Sequence, residues 1–155
     1  MSRPEFVYVT YIETTPENLW EALTNSAFTR QYWFDTEVHS DWKVGSPFAL
    51  VMSGTTTDTG EILEADPPRR LAYTFKHELM ENMRNEQPTK VVFTIEAYGN
   101  LVKLTVTHEG FAAGSELLDG ISRGWPAILS GLKSLLETGK APAIPPAALG
   151  IKGFE

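Results

Sequence analysis

Three histidines are the side chains of this sequence best suited to proton transfer near neutral pH. His39, His77 and His108 lie far apart, and none belongs to a paired ligand motif such as His-Glu-x-x-His, so we expect no metal site. His108 continues the apolar alternation that passes through Val106, and His77 shares the alternation of Phe75. Each of these two rings is predicted either to face a ligand cavity or to be a hydrogen-bonded structural histidine. His39 lies among polar residues, and we expect it at the surface.

The remaining reactive groups form no recognisable motif. The carboxylate pairs Glu61 with Glu64 and Glu109 with Glu116 cannot be assigned to a common pocket from their spacing. The sequence contains no Gly-x-Ser-x-Gly nucleophile turn, phosphate-binding loop or dinucleotide fingerprint, so no cofactor is expected. It also contains no cysteine, which excludes disulfides, thiolate metal sites and a cysteine nucleophile.

Residues 6–108 are predicted to position these groups mainly on strands. Residues 6–12 alternate β-branched and aromatic side chains and predict a strand with little exposed surface. Thr15 followed by Pro16 predicts the start of a short helix, and residues 26–33 predict a second one. A meander of strands follows, predicted at residues 48–52, 61–65, 71–78, 91–98 and 101–108. Gly99-Asn100 predicts a tight hairpin between the last two strands.

A long amphipathic helix is predicted to cover this sheet. Apolar residues recur at helical spacing from Leu118 to Leu136, and Gly139 is expected to end the helix. Pro126 lies inside this segment and predicts a kink or a break near Trp125. We therefore expect one domain over residues 1–138, followed by a Pro-, Ala- and Gly-rich tail over residues 139–155.

Composition restricts the partners of the protein. With 155 residues, 42% hydrophobic and 21% charged, the chain has the composition of a single globular domain. A net charge of -7 without a basic patch disfavours nucleic-acid binding. No apolar run reaches the roughly 20 residues of a membrane helix, so no membrane insertion is expected. The first residues do not form a signal peptide, which indicates a cytoplasmic location.

Three segments of the sequence, read together, resemble one known family. They are residues 15–24 (TPENLWEALT), 107–111 (THEGF) and 124–137 (GWPAILSGLKSLLE). They are similar to bacterial domains related to the C-terminal domain of the activator of the 90-kDa heat-shock chaperone ATPase. This family lies within the START-related, birch-pollen-allergen-like (SRPBCC) superfamily, and the three segments span nearly the whole predicted domain in order.

The resemblance implies an α+β helix-grip fold, in which a curved antiparallel sheet wraps around the long C-terminal helix and two short helices follow the first strand. An apolar pocket often lies between sheet and helix in this superfamily. Members of the superfamily bind lipids, sterols or polyketides, and some catalyse cyclisation or hydrolysis.

A pocket of this kind would draw on the aromatic residues and on a few polar groups that fix a ligand. Met80 and Met83 lie in the loop 79–89, which could gate an entrance or be a plain solvated loop. Arg123 is expected in solvent or near the backbone freed by Pro126. The candidate ligand-binding residues are Tyr8, Tyr11, Trp33, Phe48, Tyr73, Phe75, His77, Phe93, His108, Trp125 and Leu129.

Three functional hypotheses follow. The first is a binding domain that holds an apolar or aromatic small molecule, such as a lipid, sterol or polyketide-like compound, between the sheet and the C-terminal helix. The second is a chaperone-associated or stress-related interaction protein, favoured by the resemblance and by Ile151 and Phe154 in the tail. The third is a hydrolase or cyclase with His77 or His108 as general base.

Overall fold

The computed structural model describes residues 5–145. Seven strands form one antiparallel sheet in the order β1-β7-β6-β5-β4-β3-β2. In chain order the elements are β1 (Glu5–Ile12), α1 (Pro16–Thr24), α2 (Ser26–Tyr32), β2 (Thr36–Ser40), β3 (Pro47–Met52), β4 (Thr55–Asp66), β5 (Arg70–His77), α3 (Glu81–Arg84), β6 (Thr89–Tyr98), β7 (Leu101–Glu109) and α4 (Glu116–Thr138).

The two short helices after β1 begin where the capping residues predict. The Thr15 hydroxyl accepts a hydrogen bond from the Asn18 amide at 3.1 Å, and Pro16 occupies the first turn of α1. Asn25 ends α1 and also caps α2, because its side chain accepts a hydrogen bond from the Ala27 amide at 2.8 Å. A single residue, Asn25, therefore separates the two helices, and no loop lies between them.

The strands differ from the predicted meander at two places. β2 was not predicted, and β4 begins at Thr55 rather than at residue 61. β2 is largely polar, and β4 begins with three consecutive threonines, whose β-branched side chain fits a strand even where the alternation of apolar residues is weak. The hairpin at Gly99-Asn100 is confirmed, since Tyr98 pairs with Leu101.

The prediction that β1 has little exposed surface is wrong. β1 is an edge strand that pairs only with β7, and its side chains alternate between the inner face and solvent. Val7, Val9 and Tyr11 are each about half exposed, while Ile12 is fully buried. Both faces of β1 carry apolar side chains, but only one of these faces is turned toward the core.

Helix α4 lies against the inner face of the curved sheet, which confirms the helix-grip fold. The side chains that it buries are those of Leu117, Trp125, Ile128, Leu129, Leu132 and Leu135. The helix runs through Pro126, so the predicted break is absent. Proline removes a single backbone donor, and buried residues on both sides hold the helix together.

Gly139 ends α4 in the left-handed conformation (φ 82°), as predicted. Of the predicted tail, residues 139–145 are described and Ala141 packs against the core. Ile151 and Phe154 lie outside the described residues. No helix within residues 5–145 is both long and apolar enough to cross a bilayer.

Candidate functional site

A cavity of about 130 Å³ lies between the inner face of the sheet and helix α4. Its walls come from the end of α2, the strands β2 to β5, the α3 segment and the first half of α4. The lining residues are Trp33, Phe34, Thr36, Leu50, Met52, Thr57, Asp58, Phe75, His77, Met80, Met83, Leu117, Gly120, Ile121, Gly124, Trp125 and Ile128. The surface of the cavity is thus mainly apolar, with a small set of polar groups at β2, β4 and β5.

The α4 wall leaves room because it carries glycines where it faces the cavity. Gly120 and Gly124 are one helical turn apart, and a Cβ atom added at Gly124 would meet no other atom within 4 Å. Trp125, beside them, packs edge-on against Trp33 with ring centres 5.4 Å apart. The cavity is therefore bounded by rigid aromatic rings on one side and by bare helix backbone on another.

A buried Asp-His pair lies in the wall formed by the sheet. Asp58 on β4 stands opposite His77 on β5, and its Oδ1 lies 2.9 Å from Nδ1 of the imidazole. The second carboxylate oxygen accepts a hydrogen bond from the Thr57 hydroxyl at 2.7 Å. Asp58 and His77 are only 8% and 9% exposed. The carboxylate is thus held by one neighbour and in turn orients the imidazole.

The other ring nitrogen of His77, Nε2, has no hydrogen-bond partner. Among the described residues it is the single buried side-chain nitrogen or oxygen in this condition. Buried polar atoms are almost always paired in folded proteins, so an unpaired one beside a cavity points to a missing partner. Chemically, a carboxylate-oriented imidazole with a free Nε2 can accept a hydrogen bond or a proton from a bound molecule.

His108 is different, because both of its ring nitrogens are paired. The indole N–H of Trp125 donates to Nδ1 at 3.1 Å, and Nε2 lies 2.7 Å from the Thr89 hydroxyl. That hydroxyl also lies 3.0 Å from the Phe75 carbonyl, to which it donates. An indole N–H can only donate, so neutral His108 carries its proton on Nε2.

Burial also keeps His108 neutral. The ring is fully buried, with Phe75 and Phe111 against it, and this burial lowers its pKa to about 3. His108 is thus the hydrogen-bonded structural histidine of the two alternatives, and the general-base hypothesis concerns His77 alone. His39 is exposed and hydrogen-bonds to Glu37 at the surface, as expected.

The structure places the sequence-predicted site residues in three groups. Trp33, Phe75, His77 and Trp125 line the cavity. Phe48, Tyr73, Phe93, His108 and Leu129 are buried in the core outside the lining. Tyr8 is half-buried on the inner face of β1, and Tyr11 is 49% exposed on the opposite face. Tyr11 therefore lies away from the cavity, because adjacent odd and even positions of a strand face opposite sides.

The core group forms a packed aromatic row rather than an open pocket. Phe48 stacks on Tyr73 with ring centres 3.9 Å apart, and Phe93 joins Tyr73 to Trp125 at 5.8 and 5.9 Å. Burial raises the pKa of the Tyr73 phenol well above its usual value, and the nearby Tyr32 and Asp58 add to this shift. The row thus packs together part of the core between the sheet and α4, beside the cavity.

Asp58 is a residue of the candidate site that sequence reasoning missed. It lies in the threonine-rich segment before residue 61, which was not predicted as a strand, and its partner is 19 positions away. The run of β-branched threonines at 55–57 was the available signal for a strand.

Arg123 pairs with Asp119 at 3.1 Å on the exposed side of α4, so it lies in solvent, which is one of its two expected positions.

The segment that carries Met80 and Met83 is a short helix, α3, fixed to the start of α4. The Glu86 carboxylate, just after α3, accepts hydrogen bonds from the Ser115 hydroxyl and from the amides of Glu116 and Leu117. Phe34, Met80 and Ile121 are half-buried lining residues, so the cavity approaches the surface between α2, α3 and α4. Glu86 thus links one side of this approach to the long helix.

Comparisons with known proteins support the same fold. The family model described as Activator of Hsp90 ATPase homolog 1-like protein matches residues 13–137. No curated protein matches the chain. Among solved structures, the Aha1 dimer from Colwellia psychrerythraea is 20% identical (TM-score 0.73), with 89% of this chain and 99% of that chain covered.

Two further solved structures resemble this chain to about the same degree in sequence identity, coverage and TM-score. Protein MLL2253 from Mesorhizobium loti is 23% identical (TM-score 0.74), with 86% of this chain and 96% of that chain covered. An HSP90 activator from Plasmodium falciparum is 21% identical (TM-score 0.72), with 85% and 95% covered. At these identities the likeness shows a shared fold.

Proposed function

The chain belongs to the family of Activator of Hsp90 ATPase homolog 1-like proteins, and from this premise we propose that it binds a small apolar molecule in the cavity between sheet and α4. The observation that carries the proposal is the cavity itself, which a well-packed helix-sheet interface would not leave. The glycines of α4 keep this space open.

The volume sets the size of the ligand. An apolar protein cavity of about 150 Å³ holds a benzene molecule. A space of about 130 Å³ therefore encloses a single substituted ring, whereas a sterol or a long-chain lipid would extend beyond it. Of the ligand classes expected from the superfamily, we propose a monocyclic aromatic compound or a fragment of comparable size.

The test measures the direct binding of toluene by ligand-observed NMR. Gly124→Leu places a side chain in the cavity, whereas Ser130→Leu adds the same side chain on the exposed side of the same helix. We expect toluene to bind the natural chain and Ser130→Leu equally and Gly124→Leu at least about tenfold more weakly. Equal binding to all three, or binding to none, contradicts the proposal. Native mass spectrometry of freshly purified protein, followed by extraction, identifies a co-purified compound.

A second candidate function is the activation of an HSP90-type chaperone. The description of the matching family and the HSP90 activator from Plasmodium falciparum favour it. The experiment is the ATPase rate of such a chaperone with and without this chain, and with the chain shortened at residue 138. We expect the full chain to raise the rate; an unchanged rate at saturating chain removes this candidate.

A further inference from the structure

We propose that the cavity selects a ring that bears a hydroxyl group, with the ligand O–H donating a hydrogen bond to Nε2 of His77. The inference deepens the proposed function and rests on it. It starts from the unpaired Nε2, which is buried in a side chain that lines the cavity. A ligand that brings a donor would supply the partner that the protein itself does not.

The surroundings of His77 decide whether Nε2 accepts or donates. A carboxylate only accepts hydrogen bonds, so at 2.9 Å from Oδ1 of Asp58 the Nδ1 atom of His77 is the donor. A neutral imidazole with its proton on Nδ1 has a lone pair on Nε2. The Thr57 hydroxyl donates to the other oxygen of Asp58 at 2.7 Å and keeps the carboxylate in place. In the neutral form of His77, Nε2 is therefore a hydrogen-bond acceptor.

The rest of the cavity determines what else the ligand carries. Apart from the Asp58-His77 pair, the polar lining residues are Thr36 and Thr57, and the hydroxyl of Thr57 is already engaged by Asp58. A ligand group that reached neither His77 nor the Thr36 hydroxyl would lose its water without gaining a partner on the apolar walls. These features together fit a phenol-class molecule: one ring with a hydroxyl group at His77 and mainly apolar substituents.

The experiment compares phenol, anisole and toluene, which share a ring and differ in the polar group. Phenol can donate a hydrogen bond, anisole can only accept one, and toluene does neither. We expect phenol to bind at least about tenfold more tightly than toluene, and anisole to bind like toluene. We also expect the ¹⁵N resonance of His77 Nε2 to shift with phenol and not with toluene.

Removing His77 alone would leave Asp58 buried without its partner, so the matched variant changes both residues. Asp58→Val with His77→Phe replaces the pair with apolar side chains, which is less disruptive than leaving one charged partner buried. We expect this double variant to keep toluene binding and to lose the preference for phenol.

The outcomes separate this inference from the function on which it rests. If toluene and phenol both fail to bind the natural chain, the proposed function fails. If toluene binds and phenol binds no more tightly, only the choice of a hydroxylated ring is wrong. Tighter binding of anisole than of phenol would show that Nε2 donates, which also overturns the inference.

Discussion

Trp125 of α4 donates its indole N–H to Nδ1 of His108 on β7, and the two atoms are 3.1 Å apart. This hydrogen bond joins the long helix to the sheet inside an apolar core. It continues through the Thr89 hydroxyl to the Phe75 carbonyl, so three strands and α4 share one chain of hydrogen bonds. Every polar side-chain atom in this series of hydrogen bonds has a partner, whereas Nε2 of His77 has none.

Trp125→Phe is expected to destabilise the protein by about 1–3 kcal/mol, because it keeps a ring but leaves Nδ1 of His108 buried without a donor. Urea denaturation measures the loss. Trp42→Phe is the control, since Trp42 is partly exposed, and we expect a smaller effect there. Equal losses in the two variants would show that the hydrogen bond contributes nothing.

His108 is expected to make stability depend on pH. Its pKa is about 3 in the folded protein and near its ordinary value of 6.5 when unfolded, so below pH 6.5 the unfolded state binds one more proton. Stability is therefore complete above pH 6.5 and falls as pH drops toward 3, with up to about a tenfold loss in the folding constant per pH unit. Urea titrations at pH 6.5 and 5 test this. His108→Gln should flatten the dependence, and His39→Gln should leave it unchanged.

Gly124→Ala is expected to stabilise the protein by about 0.5–1 kcal/mol, because alanine favours the helix and its Cβ meets no atom within 4 Å. Gly131→Ala is the matched control on the same helix. There the Cβ would lie 3.2 Å from both Cβ and the carbonyl oxygen of Tyr32. We expect this second variant to be destabilised. Thermal unfolding measures both, and the same sign for both would contradict the packing described.

Glu86→Ala is expected to destabilise the protein by about 1–2 kcal/mol, since three donors at the start of α4 lose their acceptor. Glu81→Ala removes an exposed carboxylate from the same segment and serves as control. Urea denaturation distinguishes them. A loss in Glu81→Ala as large as that in Glu86→Ala would show that general charge, rather than capping, is responsible.

The elements of the fold were predictable where the local sequence pattern is strong. Helix α4 followed from the recurrence of Leu118 through Leu136, and the hairpin followed from Gly99-Asn100. Of the kink or break predicted at Pro126, the break is absent, because a local rule about one missing donor does not include the packing of the residues on either side. Strand β2 was missed since its five residues are largely polar.

The site was harder to predict because its key relationship is non-local. His77 could be singled out from its alternation with Phe75, but its partner Asp58 is defined only by the pairing of β4 with β5. Likewise, the alternation pattern predicts the same two alternatives for His108 and for His77. What separates them is whether a tryptophan N–H from another element reaches the ring, which depends on how α4 packs on the sheet.

The Glu86 carboxylate also ties one wall of the cavity to the end of a helix. Met80 and Met83 line the cavity from the α3 segment, which this carboxylate fixes to the first turn of α4. The shape of that wall and the stability of the helix end therefore depend on the same three hydrogen bonds. A change that weakens them would loosen the wall and fray the helix together.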